Sequence, residues 1–394
     1  MDKGYNKFGF LSILTIYIAL KPLYLWSSGS LQICDLFLLS GFVYVIISKG
    51  GKIRLNHFSC GLMELFLVLV LYQAIINGIW SHILDVNISK ATLYYTYNMF
   101  SVFLTLLILQ DCSHQKVSAY VLVGCFISLL ITNFGIFLGL GGVRKIGFFN
   151  NPNQLGYHAL IILSMFSYYY KSAKPFLKVS IAIMSLWALL ASGSKAAFFG
   201  AGILIFLHLL FEKDRKGKTN NKLLVQIALL ILIILLLYIL FFSNSSLIQS
   251  NQILSFVRHR MLSVAEENDS ALGTSRGYNR IWELGTNFLW GMGEGDYFRF
   301  ATMNGLEAHS SYVTQIVSYG LLGMIGYTLL IWKFISYRPC IRNNLIILSG
   351  IIAYGVTHNG LRYTLLWILL TIMFSQRWIN EKQDDKAIAN TAIL

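Results

Sequence analysis

Long apolar runs separated by short polar segments make up most of this chain. A helix needs roughly 20 mainly apolar residues to cross the hydrocarbon core of a bilayer. Applied along the whole sequence, this length predicts about twelve transmembrane helices. The predicted segments are 8–26, 31–48, 58–80, 90–110, 117–139, 155–170, 179–193, 196–212, 223–243, 310–332, 345–358 and 362–378.

The composition agrees with this pattern. Of 394 residues, 56% are hydrophobic and only 12% are charged, which is too much apolar surface for soluble globular domains to bury. We therefore expect an all-α polytopic membrane protein with residues 1–394 in one transmembrane domain. A net charge of +14 would suggest nucleic acid as the partner of a soluble protein, but here the basic residues fall in short loops, so no nucleic acid is expected.

The basic residues also predict the orientation. With the N-terminus in the cytoplasm, the segments facing the cytoplasm hold 20 of the 31 lysines and arginines, as the positive-inside rule requires. Twelve spans then leave both termini in the cytoplasm, with 379–394 as a cytoplasmic tail. The same threading makes 244–309 a large extracytoplasmic loop.

This large loop is the first candidate for chemistry. It carries five arginines and ends in Glu307-Ala308-His309. Arg276 and Arg280 are four residues apart and would project from one face of a helix capped by Ser275, where two guanidinium groups suit a diphosphate. The structural alternative is that one of them pairs with Glu283.

His309 stands at the head of the tenth predicted segment. A neutral imidazole there could take a proton from an attacking sugar hydroxyl, whereas a structural histidine would cap the helix. The alternating glycines from Gly291 to Gly295 could let the backbone approach a ligand, although a glycine-rich turn is weak by itself. The acidic run 266–269 lacks the ligand pattern of a calcium loop, so neither a metal nor another cofactor is expected.

Two further external stretches carry candidate residues. In the first, Arg144 would face an anionic head group, and the Asn150-Asn151-Pro152-Asn153 turn would either cap the next helix or contact sugar hydroxyls. In the second, Lys195 follows Ser192-Gly193-Ser194. Backbone donors in that turn could cradle a phosphate beside the ammonium group, or the lysine could simply extend to the interface.

Five motifs in this order and spacing resemble the O-antigen polymerase/O-antigen ligase superfamily of bacterial membrane glycosyltransferases. They lie at 149–156, 192–196, 276–295, 308–312 and 319–323. The resemblance implies a GT-C-type fold and transfer of glycans from undecaprenyl diphosphate, without a metal, at the outer face of the plasma membrane. The implied partners are lipid-linked oligosaccharide donor and acceptor, membrane lipids and a chain-length regulator protein.

The resemblance also implies roles for individual residues. His309 would activate the acceptor hydroxyl, while Arg276, with Arg280 as its close competitor, would hold the diphosphate. Lys195 occupies a position that is usually arginine, and Ser310 one that is commonly asparagine. The residues predicted to bind substrate are Lys195, Arg144, Asn150, Asn153, Glu307 and Tyr312.

Three functions follow from this pattern. A polymerase, which we prefer, adds a growing lipid-linked chain to the next lipid-linked repeat unit. A ligase transfers the chain to lipid A–core. A transporter or flippase of a lipid-linked saccharide would instead favour charges inside the spans, where Lys21, Asp35 and Glu64 lie, together with inverted repeats and no outsized external loop.

Overall fold

The computed structural model describes residues 7–27, 30–110, 112–142, 144–211, 255, 277–295, 308–336 and 340–375. Helical residues make up 78% of this part of the chain, and it contains no strand, which confirms the all-α class. Five of its helices are long and apolar enough to cross a membrane: α3, α4, α5, α7 and α9 as bounded below.

Eleven α-helices are described. They are α1 (Lys7–Leu20), α2 (Ile33–Ser48), α3 (His57–Leu84), α4 (Ser89–Leu109), α5 (His114–Phe137), α6 (Pro152–Tyr168), α7 (Pro175–Ser192), α8 (Lys195–Phe211), α9 (Ser311–Ile335), α10 (Ile341–Thr357) and α11 (Thr364–Ser375). Three short 3₁₀ helices, Tyr170–Ser172, Tyr278–Glu283 and Gly285–Phe288, accompany them.

Each predicted apolar segment except 223–243 coincides with one of these helices, and 223–243 lies outside the described residues. The first segment was predicted to continue to residue 26, but α1 ends at Leu20. Pro22 explains the difference, because the residue before a proline is disfavoured in the α region and Lys21 therefore leaves the helix.

The helices pack around a buried centre. Every residue of α11 from Thr364 to Ser375 is buried, as expected for a helix that is apolar on all sides. The surrounding helices pack in the order α4, α1, α5, α6, α10, α9 and α3, and α3 returns to α4. Here α2 packs on α1, α7 on α5 and α6, and α8 on α10 and α6.

The connections between the helices gather at the two ends of this bundle. We call one of them the His309 end, where Tyr24 donates its N–H to the Phe148 carbonyl (3.3 Å) and Lys145 donates its N–H to the Ala191 carbonyl (2.9 Å). These bonds tie together the connections α1–α2, α5–α6 and α7–α8. At the other end, the Gln110 side chain donates to the Arg54 carbonyl (3.0 Å), which links the connections α2–α3 and α4–α5.

Candidate functional site

The described candidate residues all lie at the His309 end: Arg144, Asn150, Asn153, Lys195, Arg280, His309 and Tyr312. They belong to three connections between helices that are far apart in sequence: α5–α6, α7–α8 and α8–α9. The predicted residues Arg276 and Glu307, and the acidic run 266–269, lie outside the described residues.

Arg144 joins two of the predicted stretches. Its Nε donates to the Ser192 carbonyl (3.0 Å), and its Nη2 donates to Asn153 Oδ1 (2.7 Å). The guanidinium therefore connects the end of α7 with the start of α6. Because Arg144 is only half-buried, its charge still faces the surface of this end.

The three asparagines of this turn have three different roles. Asn151 caps α6, since its side chain accepts from the Gln154 N–H (2.9 Å). Asn150 donates its side-chain amide to the Trp26 carbonyl (3.1 Å), and Asn153 supports Arg144. Helix capping thus applies to Asn151, while the amides of Asn150 and Asn153 hold the loops of this end in place.

The N–H groups of Gly193 and Ser194, in the turn before Lys195, are already bonded within the protein. Gly193, with φ of 57°, donates its N–H to the Leu190 carbonyl (3.0 Å), and the Ser194 N–H donates to the Ser192 hydroxyl (3.2 Å). Both N–H groups are therefore used within the turn and are not available to a phosphate. The Lys195 side chain remains, half-buried at the first residue of α8.

The segment carrying Arg280 is not the predicted α-helix. Gly277 has a left-handed φ of 72°, after which Tyr278–Glu283 and Gly285–Phe288 form two 3₁₀ helices. Residues four apart do not share a face in 3₁₀ geometry, so the argument from spacing fails. Arg280 is fully buried (0% exposed) whereas Glu283 is exposed.

This segment packs beside His309. Leu284 forms a small buried cluster with Ala308, Val313 and Val317, and the side chains of Tyr278 and Ile281 pack against it. In addition, the Tyr278 hydroxyl donates to the Val356 carbonyl (3.0 Å) at the end of α10. The chain on both sides of Arg280 is thus fixed against the elements that carry His309.

His309 faces a second histidine that sequence analysis did not single out. The ring centroids of His309 and His358 are 6.5 Å apart, and the His358 ring stacks on Tyr354 at 5.0 Å. The Tyr354 hydroxyl donates to the Asn153 carbonyl (3.4 Å). A continuous row of side chains therefore runs from His309 to the loop that holds Arg144.

The two serines after His309 set its position relative to His358. Ser310, not His309, caps α9, because its hydroxyl accepts from the Val313 N–H (3.4 Å), and this excludes the alternative in which His309 caps the helix. The Ser310 hydroxyl also lies 3.2 Å from the Gly355 carbonyl, to which it donates. Ser311 donates to the His358 carbonyl (3.0 Å).

Tyr312 also joins α9 to α10. Its hydroxyl donates to the Ile352 carbonyl of α10 (3.0 Å), so its one proton is engaged within the protein. This geometry favours a role for Tyr312 in holding α9 against α10.

Sequence analysis also missed an ion pair deeper in the bundle. Arg362 forms an ion pair with Glu294, whose side chain is 2% exposed against 27% for that of Arg362. The Tyr319 hydroxyl donates to Glu294 Oε1 (3.0 Å), and the Glu294 N–H donates to Asn77 Oδ1 (2.9 Å). The available signal was an arginine at the start of a predicted span, since ionisable residues at such positions are expensive and usually paired.

A second buried pair lies on the α1 side of the same end. Lys21 Nζ is 3.5 Å from Asp35 Oδ1, and Tyr97 donates its hydroxyl to the same oxygen (2.8 Å). Asp35 Oδ2 accepts from the Gln32 N–H (2.8 Å), which closes the start of α2. Lys21 and Asp35 are two of the three charges noted inside the predicted spans, and they satisfy one another.

No group of three or more His, Cys, Asp or Glu side chains suited to a metal ion occurs within the described ranges. No family model matches the chain, and no curated protein matches it.

Proposed function

We propose that this protein is a bacterial plasma-membrane glycosyltransferase that polymerises O-antigen or a related surface polysaccharide. It would transfer a glycan from undecaprenyl diphosphate to a lipid-linked repeat unit at the outer face of the membrane. The proposal includes twelve spans in a GT-C-type arrangement, with both termini in the cytoplasm. The observation that carries it is the meeting of His309, the Arg280 segment and the Arg144 loop at one end of the bundle.

In this reaction a hydroxyl of the acceptor sugar attacks the anomeric carbon of the donor. His309 takes the hydroxyl proton as the new C–O bond forms. The bond between the anomeric carbon and the diphosphate oxygen breaks, and undecaprenyl diphosphate leaves with the electron pair. His309 later releases its proton to solvent or to the departing phosphate.

Cationic side chains would stabilise the charge that grows on the leaving diphosphate. Arg280 and Arg276 are assigned to this task from the large loop, and Arg144 from the α5–α6 connection. Lys195 is assigned to the same task. A cation at the first residue of α8 interacts unfavourably with the helix dipole, so helix stability does not explain why a lysine stands there. No metal or other cofactor enters the proposal.

A transporter is the alternative of another class, and the buried ion pairs are the observation that favours it. Their positions argue against a midplane transport site. Lys21 follows α1, Asp35 lies in the first turn of α2, and Arg362 precedes α11. The carboxylate of each pair also accepts a tyrosine hydroxyl, Asp35 from Tyr97 and Glu294 from Tyr319, as expected for fixed structural pairs.

The first test is the glycan made by a deletion strain carrying His309→Ala, with His82→Ala as the matched control. His82 is an exposed histidine in the last turn of α3, at the same end of the bundle. We expect the control to restore long-chain polysaccharide and His309→Ala to leave lipid A capped by a single repeat unit. Polymer stranded on its lipid carrier would identify a ligase instead.

A second experiment separates catalysis from transport. Purified protein in detergent, given lipid-linked repeat units, should elongate them without any membrane to cross. If His309→Ala cells make normal long-chain polysaccharide, or if the purified protein elongates nothing while vesicles containing it move the lipid-linked saccharide, the enzyme assignment fails.

A further inference from the structure

The chain after Arg280 descends along α9 toward the middle of the bundle. Leu284 packs near Val313 and Val317, and five residues later the Leu289 carbonyl accepts from the Leu322 N–H (3.3 Å). Gly320 lies nine residues inside α9, which corresponds to a depth of about 13 Å at 1.5 Å per residue. The segment therefore runs well below the ends of the helices that surround it.

A break in α9 receives this segment. Gly320 has φ of 64° and ψ of −169°, which interrupts the helix. The Met292 N–H donates to the Val317 carbonyl (2.9 Å) and the Gly293 N–H to the Ser318 carbonyl (2.7 Å). These bonds satisfy backbone groups that the interrupted helix leaves open, as nonhelical backbone at membrane depth requires.

Side chains of α3 complete the contacts of the descending segment. The Tyr72 hydroxyl lies 2.9 Å from both the Trp290 and the Tyr319 carbonyls, and Trp80 Nε1 donates to the Gly291 carbonyl (3.2 Å). The segment then returns to Asn77, which accepts the Glu294 N–H. The backbone from residue 290 to residue 294 is thus inserted between α3 and α9.

The outer face of the segment is apolar. Phe288, Leu289 and Trp290 are exposed, and Trp290 reaches 52%. They continue the exposed apolar stripes of the two helices that flank them, formed by Leu67, Leu71, Ile75, Ile79 and Ile83 on α3 and by Leu321, Leu322, Ile325 and Leu329 on α9. A surface of this kind on two spanning helices is the surface that faces lipid.

We propose that residues 285–295 form a re-entrant membrane segment whose outer face contacts lipid acyl chains. The segment enters the bilayer from the His309 end, turns at the break in α9 and returns with Glu294 paired to Arg362. Trp282, 86% exposed and beside the exposed Glu283, marks the level of the head groups, where tryptophan is enriched. This inference does not depend on the proposed enzymatic function.

The test uses tryptophan fluorescence of the full-length protein in vesicles of brominated lipid. The emission of Trp290 is the difference between the wild type and Trp290→Phe, and that of Trp282 is obtained in the same way. We expect bromine deep in the acyl chains to quench Trp290 more than Trp282, and bromine near the head group to quench Trp282 more. Trp367, fully buried in α11, provides the matched control through Trp367→Phe and should not be quenched by lipid.

Two results would overturn the proposal. Quenching of Trp290 by aqueous iodide, without quenching by deep bromine, would place the segment in water. Protection from both quenchers would mean that another part of the protein covers it. Each variant must unfold at the temperature of the wild type, so that the difference spectra compare equally folded proteins.

Discussion

The imidazole rings of His309 and His358 meet edge to face between the start of α9 and the end of α10, with centroids 6.5 Å apart and ring planes inclined by 66°. Stacking on Tyr354 and the bond from Ser311 to the His358 carbonyl fix the second ring. In the proposed reaction, His358 is a positioning residue for the base.

The first prediction concerns this pair. His358→Gln should lower kcat about tenfold, because side chains in contact commonly couple by roughly 1.4 kcal/mol. His309→Ala should lower kcat about 10²- to 10⁴-fold, the usual contribution of a general base. Adding His358→Gln to His309→Ala should then cost almost nothing more, since the base it positions is gone.

The measurement is a double-mutant cycle on kcat for elongation of a lipid-linked acceptor. Strictly additive losses would mean that the two histidines act independently, and His358 would lose its assigned role.

Arg144 gives the second prediction. Arg144→Gln should destabilise the protein by about 1–3 kcal/mol, because the Ser192 carbonyl loses a charged donor and Asn153 loses its partner. Asn153→Ala should cause part of the same loss of stability. It should leave anion binding intact, because the Arg144 guanidinium remains.

Thermal unfolding and the KM for the lipid-linked donor separate these effects. Lys145→Gln is the control, since Lys145 is the adjacent half-buried cation and its backbone N–H bond to Ala191 survives the change. An unchanged KM for Arg144→Gln would confine Arg144 to a structural role.

Features that depend on a local stretch of sequence could be predicted, whereas features that depend on contacts between distant residues could not. Most of the described helices were predictable because each coincides with a local apolar run, and Pro22 could have corrected the end of α1. The break in α9 was not predictable. It depends on hydrogen bonds between residues 292–293 and 317–318, and one apolar run gives no sign of them.

The candidate site shows the same limit. The residue types at the His309 end were predictable, because cations and a histidine are conspicuous in an apolar chain. Their partners were not, since Arg362 pairs with Glu294 across 68 positions and His358 meets His309 only after two helices pack.

The third prediction tests the break in α9. A Cβ at Gly320 would clash with the Leu289 backbone, and its positive φ is strained for any other L residue. Gly320→Ala should therefore destabilise the protein by at least about 1–3 kcal/mol.

Gly78→Ala in α3 is the matched control, because a Cβ there meets no atom within 4 Å. It should be neutral or should stabilise by about 0.4–1 kcal/mol. The comparison is the midpoint of thermal unfolding in the same detergent. Equal midpoints for the two variants would contradict the observed conformation of Gly320.

The last prediction concerns the pair of Glu294 and Arg362. Glu294→Gln removes the countercharge of Arg362, and we expect a loss of about 3 kcal/mol, the lower end for breaking a buried pair, because Arg362 is partly exposed. Replacing both residues, Glu294→Gln with Arg362→Met, should be less destabilising than Glu294→Gln alone, since no uncompensated charge remains. Denaturant unfolding of the two variants and the wild type measures the difference. A double variant that is less stable than Glu294→Gln would show that Arg362 stabilises the bundle mainly through contacts other than this carboxylate, such as the Tyr94 ring 5.4 Å away.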